Sequence, residues 1–197
     1  MAVKSSFKNM TICLFVICLV CSALLAGVYA LTAEPIAAAA AAKNEAAIKE
    51  VLPESAVTIE EVRTVDMDGQ KYEYNLAYDE QGNTVGCAIN VAPTGFGGPI
   101  AIKVGFDANG VIWNTKVLSQ AETPGLGAKC VEPAFSAQFK GFNPAEKKLA
   151  VKKDGGDVDA ITASTITSRA YADGLALAVK VFEAIAQTPM PLNNMEE

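Results

Sequence analysis

Ile100-Ala101-Ile102-Lys103-Val104-Gly105-Phe106, then Asp107-Ala108-Asn109-Gly110, then Val111-Ile112-Trp113-Asn114-Thr115-Lys116-Val117-Leu118: two apolar, β-branched runs flank four turn-forming residues. Runs of this length and composition predict strands, and the Asp-Ala-Asn-Gly between them predicts a tight turn, so the segment reads as an antiparallel hairpin. The same device stands upstream. Tyr72-Glu73-Tyr74-Asn75-Leu76-Ala77-Tyr78 alternates apolar with polar, Glu80-Gln81-Gly82-Asn83 supplies a turn, and Val85-Gly86-Cys87-Ala88-Ile89-Asn90-Val91 can pair back. Val57 to about Val65, β-branched with charged partners, predicts one more strand. An antiparallel sheet of four or more strands follows.

Outward from the sheet, Val131 to Phe142 predicts a short helix closed by Gly141, and Leu149-Ala150-Val151 a further strand before the turn Asp154-Gly155-Gly156-Asp157. From Ile166 onward Leu175, Ala178, Val179, Phe182 and Ile185 recur at helical spacing, so a long helix lays one face on the sheet. Pro189 to Glu197 reads as a loose tail. The fold class is α+β.

No charged residue lies between Lys8 and Glu34, and the apolar run from Thr11 through Leu24, Leu25, Val28 and Tyr29 is long enough to cross a bilayer as a helix. A cleavable signal is the competing reading, with a small residue at the end of Val28-Tyr29-Ala30, but the apolar run exceeds a typical signal core. An uncleaved anchor is expected. Neither Cys18, after Ile17, nor Cys21, after Val20, has the small preceding residue of a lipoprotein site. Lys4 and Lys8 on the short side predict a cytoplasmic N-terminus, which places the remainder outside the cell (inner) membrane. The expected organisation is a cytoplasmic end over 1–9, a transmembrane helix over 10–32, a helical connector over 33–53 rich in alanine and stopped by Pro53, a domain over 54–188, and a tail over 189–197.

All 22 acidic residues but only 14 of the 16 basic ones lie from Glu34 on, leaving that part near −8 (14 − 22). Nucleic acid is a poor partner for such a surface. Cys13, Cys18 and Cys21 fall in the apolar run and behave as small hydrophobes, while Cys87 and Cys130 could pair in an oxidising compartment. With no histidine and no clustered cysteines, a metal or iron–sulfur site is not expected.

Three segments can carry chemistry. Thr94-Gly95-Phe96-Gly97-Gly98-Pro99 is either a flexible connection or a place where backbone approaches a flat ligand. Glu122-Thr123-Pro124-Gly125-Leu126-Gly127 suits a type II turn and can also offer N–H groups and the Thr123 hydroxyl to a phosphate or ring carbonyl, with Glu122 ordering the loop or accepting from a ring N–H. The third is Asp159-Ala160-Ile161-Thr162-Ala163-Ser164-Thr165-Ile166-Thr167-Ser168, with five hydroxyls in seven residues. Ser164, Thr165 or Thr167 can simply cap the following helix. The absence of histidine removes the usual base for a hydroxyl nucleophile, whereas a helix start favours a phosphate held there.

In these segments and their order, from the anchor to about Ala186, the chain resembles the flavin-binding G subunit of the Rnf ion-translocating electron-transport complex, and more distantly the C subunit of the sodium-pumping quinone reductase. The most specific features are Gly97-Gly98-Pro99-Ile100 with Val104-Gly105-Phe106-Asp107, the Glu122–Gly127 run, and the hydroxyl segment. The resemblance implies FMN bonded through its phosphate to a threonine of the pattern Asp-x-x-Ser/Thr-Gly-Ala-Thr, attached by a separate flavin transferase using FAD. Asp159, Thr162, Ala163, Ser164 and Thr165 match that pattern, making Thr165 the implied acceptor and Thr167 the fallback. Ala163 stands where glycine is usual and Ser164 where alanine is usual. Cofactor contacts are implied for Thr162, Ser164, Ile166, Thr167, Glu122, Thr123, Pro124, Gly125, Leu126, Gly127, Gly97 and Gly98. The implied role is an electron carrier among the membrane and redox subunits of a complex coupling ferredoxin:NAD electron transfer to sodium or proton movement. A tethered FMN redox sensor, or a structural subunit off the electron path, is the alternative.

Overall fold

A computed structural model of the chain describes residues 7–187; the expected tail over 189–197 and Lys4 lie outside the described residues. The chain divides into two compact units after Asn44. One element, α1 (Phe7–Val51), runs through the segments read as transmembrane helix and helical connector, with Pro35 inside it. Its first part is long and apolar enough to cross a membrane. There Thr11 Oγ1 donates to Phe7 O (3.0 Å) and Thr32 Oγ1 to Val28 O (2.8 Å), so neither hydroxyl needs water. The last turns, Glu45–Val51, belong to the second unit.

Six strands form one antiparallel sheet in the order β1-β3-β4-β5-β6, with β2 also on β3: β1 (Thr58–Ile59), β2 (Arg63–Met67), β3 (Gln70–Tyr78), β4 (Thr84–Val91), β5 (Ala101–Asp107) and β6 (Ile112–Ser119). The expected Val57–Val65 strand is split. Asn75 Nδ2 donates to Glu60 O (3.0 Å), and the Glu60 carboxylate accepts from Arg63 and from Tyr78 Oη, so side chains take over where the ladder breaks. The two hairpin turns share one construction. Asp79 Oδ1 accepts from Gln81 N and Asn83 N (both 2.8 Å), Asp107 Oδ1 accepts from Asn109 N and Val111 N (both 2.9 Å), and Gly82 and Gly110 both take φ +82.

Each face of the sheet is covered. Leu76, Cys87, Ile89, Ile102, Val104, Phe106 and Val117 meet α3 (Thr165–Gln187) through Tyr171, Leu175, Ala178, Val181 and Ile185, and Phe182 stacks on Phe106 at 5.0 Å. Val179 and Phe182 are only partly buried, because α3 turns Tyr171 and Val181 inward as well. Opposite, Ile48, Val51 and Leu52 close over Ala77 and Ala88. A Cβ on Gly105 would stand 1.8 Å from Val51 O, so glycine is what lets α1 reach the strand.

Two local expectations are corrected. Val131–Phe142 is not one helix but a 3₁₀ turn over Gly127–Val131, α2 (Pro133–Ser136) and another 3₁₀ turn over Ala137–Phe139, since Pro133 cannot donate to continue the first turn. Leu149–Val151 is no strand: only Val151 bridges, to Val158, before a 3₁₀ turn over Lys152–Asp154. Cys87 and Cys130 are separate, buried free thiols, so the pairing weighed from sequence is not formed. Among the described residues no cluster of metal-ligating side chains occurs.

Candidate functional site

At the end of the sheet where β4 runs into β5 and β6 ends, three loops converge on the start of α3. The β4–β5 loop closes on itself, with Gly95 N donating to Gly98 O (2.8 Å) and Ile100 N to Pro93 O (2.8 Å), and it carries Phe96 at its tip, 69% exposed. After β6 the chain makes the expected turn: Leu126 N donates to Thr123 O (3.1 Å) across Pro124 and Gly125, the latter at φ +76. The third loop, ahead of α3, is held by Ser168. Its Oγ accepts from Ile161 N (2.9 Å) and donates to Ser164 O (3.0 Å).

Glu122 ties two of these loops to the helix. Its Oε1 accepts from Gly97 N (2.9 Å) and its Oε2 from Thr167 Oγ1 (2.5 Å), with both side chains buried. Three glycines make room for it. A Cβ on Gly95 or on Gly127 would stand 2.3 Å from a Glu122 carboxylate oxygen, and one on Gly97 2.1 Å from Ala121 O. Each carboxylate oxygen therefore accepts one hydrogen bond from the chain itself. Behind it, burial pushes the Cys130 thiol up to about 11, with the charge of Glu122 adding to the effect.

The loops enclose a cleft of about 360 Å³ lined by Phe96, Glu122, Thr123, Leu126, Gly127 and Ala163–Thr167. That volume falls within the usual range of small-molecule sites, roughly 300–1,000 Å³. Its wall combines exposed apolar side chains, Phe96, Leu126 and Ile166, with hydroxyls at a helix N-terminus, where first-turn N–H groups lack helical partners. Thr165 is half-buried at the first helical position, while Thr167, 2% exposed, is committed to Glu122. Such a site can hold a flat apolar body and an anionic group.

Of the residues expected from sequence, Glu122, Thr123, Leu126, Gly127, Ser164, Thr165, Ile166 and Thr167 come together at this cleft. Thr162 is exposed outside its lining; Pro124 and Gly125 form the turn behind it; Gly97 acts through Glu122, and Gly98, at φ +147, lies against Ala121. Phe96 and Ala163 line the cleft without being among the expected contacts, although an aromatic among glycines at a loop tip is a usable signal. Ala163 takes φ +61, the left-handed conformation that favours glycine.

The family model of the FMN-binding domain matches residues 95–180, a span that includes all three loops, and that of the RnfG N-terminal region matches residues 1–51. The G subunit of the ion-translocating oxidoreductase complex of Methanosarcina acetivorans is 34% identical over 190 residues, which cover 93% of this chain and 98% of that protein. The G subunit of the Na⁺-translocating ferredoxin:NAD⁺ oxidoreductase complex of Acetobacterium woodii is 32% identical over 189 residues, covering 88% and 90%. In fold the chain is similar to the crystal structure of the C subunit of the Na⁺-translocating NADH-quinone reductase from Parabacteroides distasonis, with a TM-score of 0.50 and 23% identity over 76% of this chain and 85% of that one.

Proposed function

The chain belongs to the family of G subunits of ion-translocating oxidoreductase complexes, and from that premise we propose that it is a membrane-anchored electron carrier holding FMN as a phosphoester on Thr165. The observation that carries this reading is the cleft at the start of α3, where Thr165 stands half-buried between an apolar wall and the helix N-terminus. Bound there, FMN would supply two-electron acceptance and one-electron release.

The chain's residues have distinct parts in this. Thr165 would hold the flavin through its hydroxyl, which would take the FMN phosphoryl group from FAD on a flavin transferase, with AMP as the leaving group and the hydroxyl proton going to the transferase. The first-turn N–H groups of α3 would hold the phosphoryl charge, and Phe96, Leu126 and Ile166, which line the cleft, would offer apolar surface to the ring system. Glu122 fixes the loops and occupies the Thr167 hydroxyl, which favours Thr165 over Thr167 as the acceptor. A covalent tether suits a domain on the extracytoplasmic side of the cell membrane, where free FMN is not supplied. Electrons would pass between this subunit and the other redox and membrane subunits of an Rnf-type complex linking ferredoxin:NAD electron transfer to sodium or proton movement. The apolar span holds no carboxylate, which assigns ion passage to those partners.

The test is flavin fluorescence of the denatured full-length chain made with a flavin transferase, followed by mass spectrometry of its peptides. Phosphoflavin on the Thr165 peptide, absent in Thr165→Val, is expected. Flavin retained by Thr165→Val, or none on the wild-type chain, overturns the assignment.

A further inference from the structure

Ser164 is 7% exposed and lines the cleft immediately before the first residue of α3, yet its Oγ has no hydrogen-bond partner among the described residues. A serine at that position ordinarily gives its oxygen to a first-turn N–H, and leaving a buried hydroxyl unpaired is destabilising. The usual structural duties are already filled. Ser168 Oγ holds the loop by accepting from Ile161 N and donating to Ser164 O, and Thr167 is bound to Glu122. The side chain of Ser164 is not needed for either.

Next to this residue stands a set of donors at the start of α3. The N–H groups of Thr165, Ile166 and Thr167 have no partner within the helix and form the positive end of its dipole. Glu122, the one carboxylate among the described residues that line the cleft, accepts at both oxygens from the chain. An added O–H donor among such N–H groups matches a group with several oxygen acceptors and negative charge. A phosphate meets that description, and a ring carbonyl, with one oxygen and no full charge, does not.

We propose that Ser164 is a phosphate ligand, its O–H donating to a non-bridging oxygen of the phosphoryl group esterified on Thr165. The inference rests on the Thr165 reading and deepens it, giving the Ser164 hydroxyl a specific partner, the phosphoryl oxygen. The hydroxyl gains its partner only when the phosphate is present. Its removal must therefore act oppositely on the two forms of the protein.

The experiment compares wild type and Ser164→Ala as full-length chains in detergent, each made without and with a flavin transferase. In the flavin-free form the variant should match or exceed the wild-type urea midpoint; in the loaded form it should fall below it, and the ³¹P resonance of the phosphodiester should move. Equal midpoint shifts in both forms, or an unmoved ³¹P resonance, overturn the role of Ser164. Peptide mapping of the same loaded samples separates the two readings. Flavin on Thr165 with equal shifts sinks only the Ser164 contact, whereas no flavin on Thr165 sinks both.

Discussion

Ala163 and Glu122 show how single positions set the site. At φ +61 the methyl of Ala163 crowds its own backbone, a strain that glycine would not carry. Ala163→Gly should therefore stabilise the flavin-free chain by about 0.5–1 kcal/mol, the relief exceeding the added freedom of the unfolded chain. Urea unfolding followed by the single tryptophan, Trp113, measures it, and a destabilised variant would contradict the argument. Glu122 works in the opposite sense. Its loss leaves the buried Thr167 hydroxyl, and the N–H of the exposed Gly97, without their acceptor, so Glu122→Ala should cost about 1–3 kcal/mol. Glu122→Gln keeps one acceptor oxygen and should cost about half as much in the same assay. The sequence marks Glu122 as able to order a loop, but the partner on α3 lies 45 residues away and only folding brings it close.

Elements are legible to different degrees. Both long hairpins follow from apolar runs around Asp-x-x-Gly turns, because the turn chemistry is local and an aspartate can satisfy its own loop. The β2–β3 hairpin is not among the expected elements although Asp68-Gly69, at φ 55 and 76, is its ordinary signature; the charged residues around it hide the strand pattern. The α1–sheet contact is invisible from sequence, since Gly105 reads there only as a weak strand residue. Gly105→Ala should force Val51 off β5 and cost roughly 3 kcal/mol or more, as overpacking of a close contact does. Exchange of amide protons at Glu50–Leu52 would rise in that variant. Unchanged protection and stability would mean the backbone contact is not tight.

For the whole molecule the telling residue is Lys103, fully buried in β5, with no partner for its Nζ among the described residues. Around it stand Asn90 on β4, Glu73 beyond that on β3, the Cys87 thiol, and Lys116 of β6, which is itself paired with Glu50 at 2.8 Å. Burial holds the Lys103 ammonium down to about 8 from 10.5, with Glu73 opposing. Between those values the unfolded chain binds the extra proton, so this group makes stability rise with pH, by at most about 1.4 kcal/mol per unit. Burial pushes Cys87 up to about 12 and Cys130 up to about 11 from 9.0, so above 9 the folded chain holds the extra protons and stability falls. A maximum near pH 9 follows. Lys103→Met should abolish the rising limb and stabilise the chain at pH 7 by roughly 1–3 kcal/mol, read from urea midpoints across pH. A rising limb that survives in the variant would refute the assignment to Lys103.

The sequence alone determined the apolar anchor, the antiparallel sheet, the amphipathic α3 and the three segments of the site, because each rests on local patterning: hydropathy over a window, alternation along a strand, turn residues at fixed spacing. The tertiary structure decided what those segments do to one another. It assigned Thr167 to Glu122 and Ser168 to the loop, left the buried Ser164 hydroxyl without a partner beside the cleft, placed Val51 against Gly105, and buried Lys103 with no hydrogen-bond partner for its Nζ among the described residues. Five hydroxyls in seven residues are chemically alike, and only the distances that the fold imposes make them different.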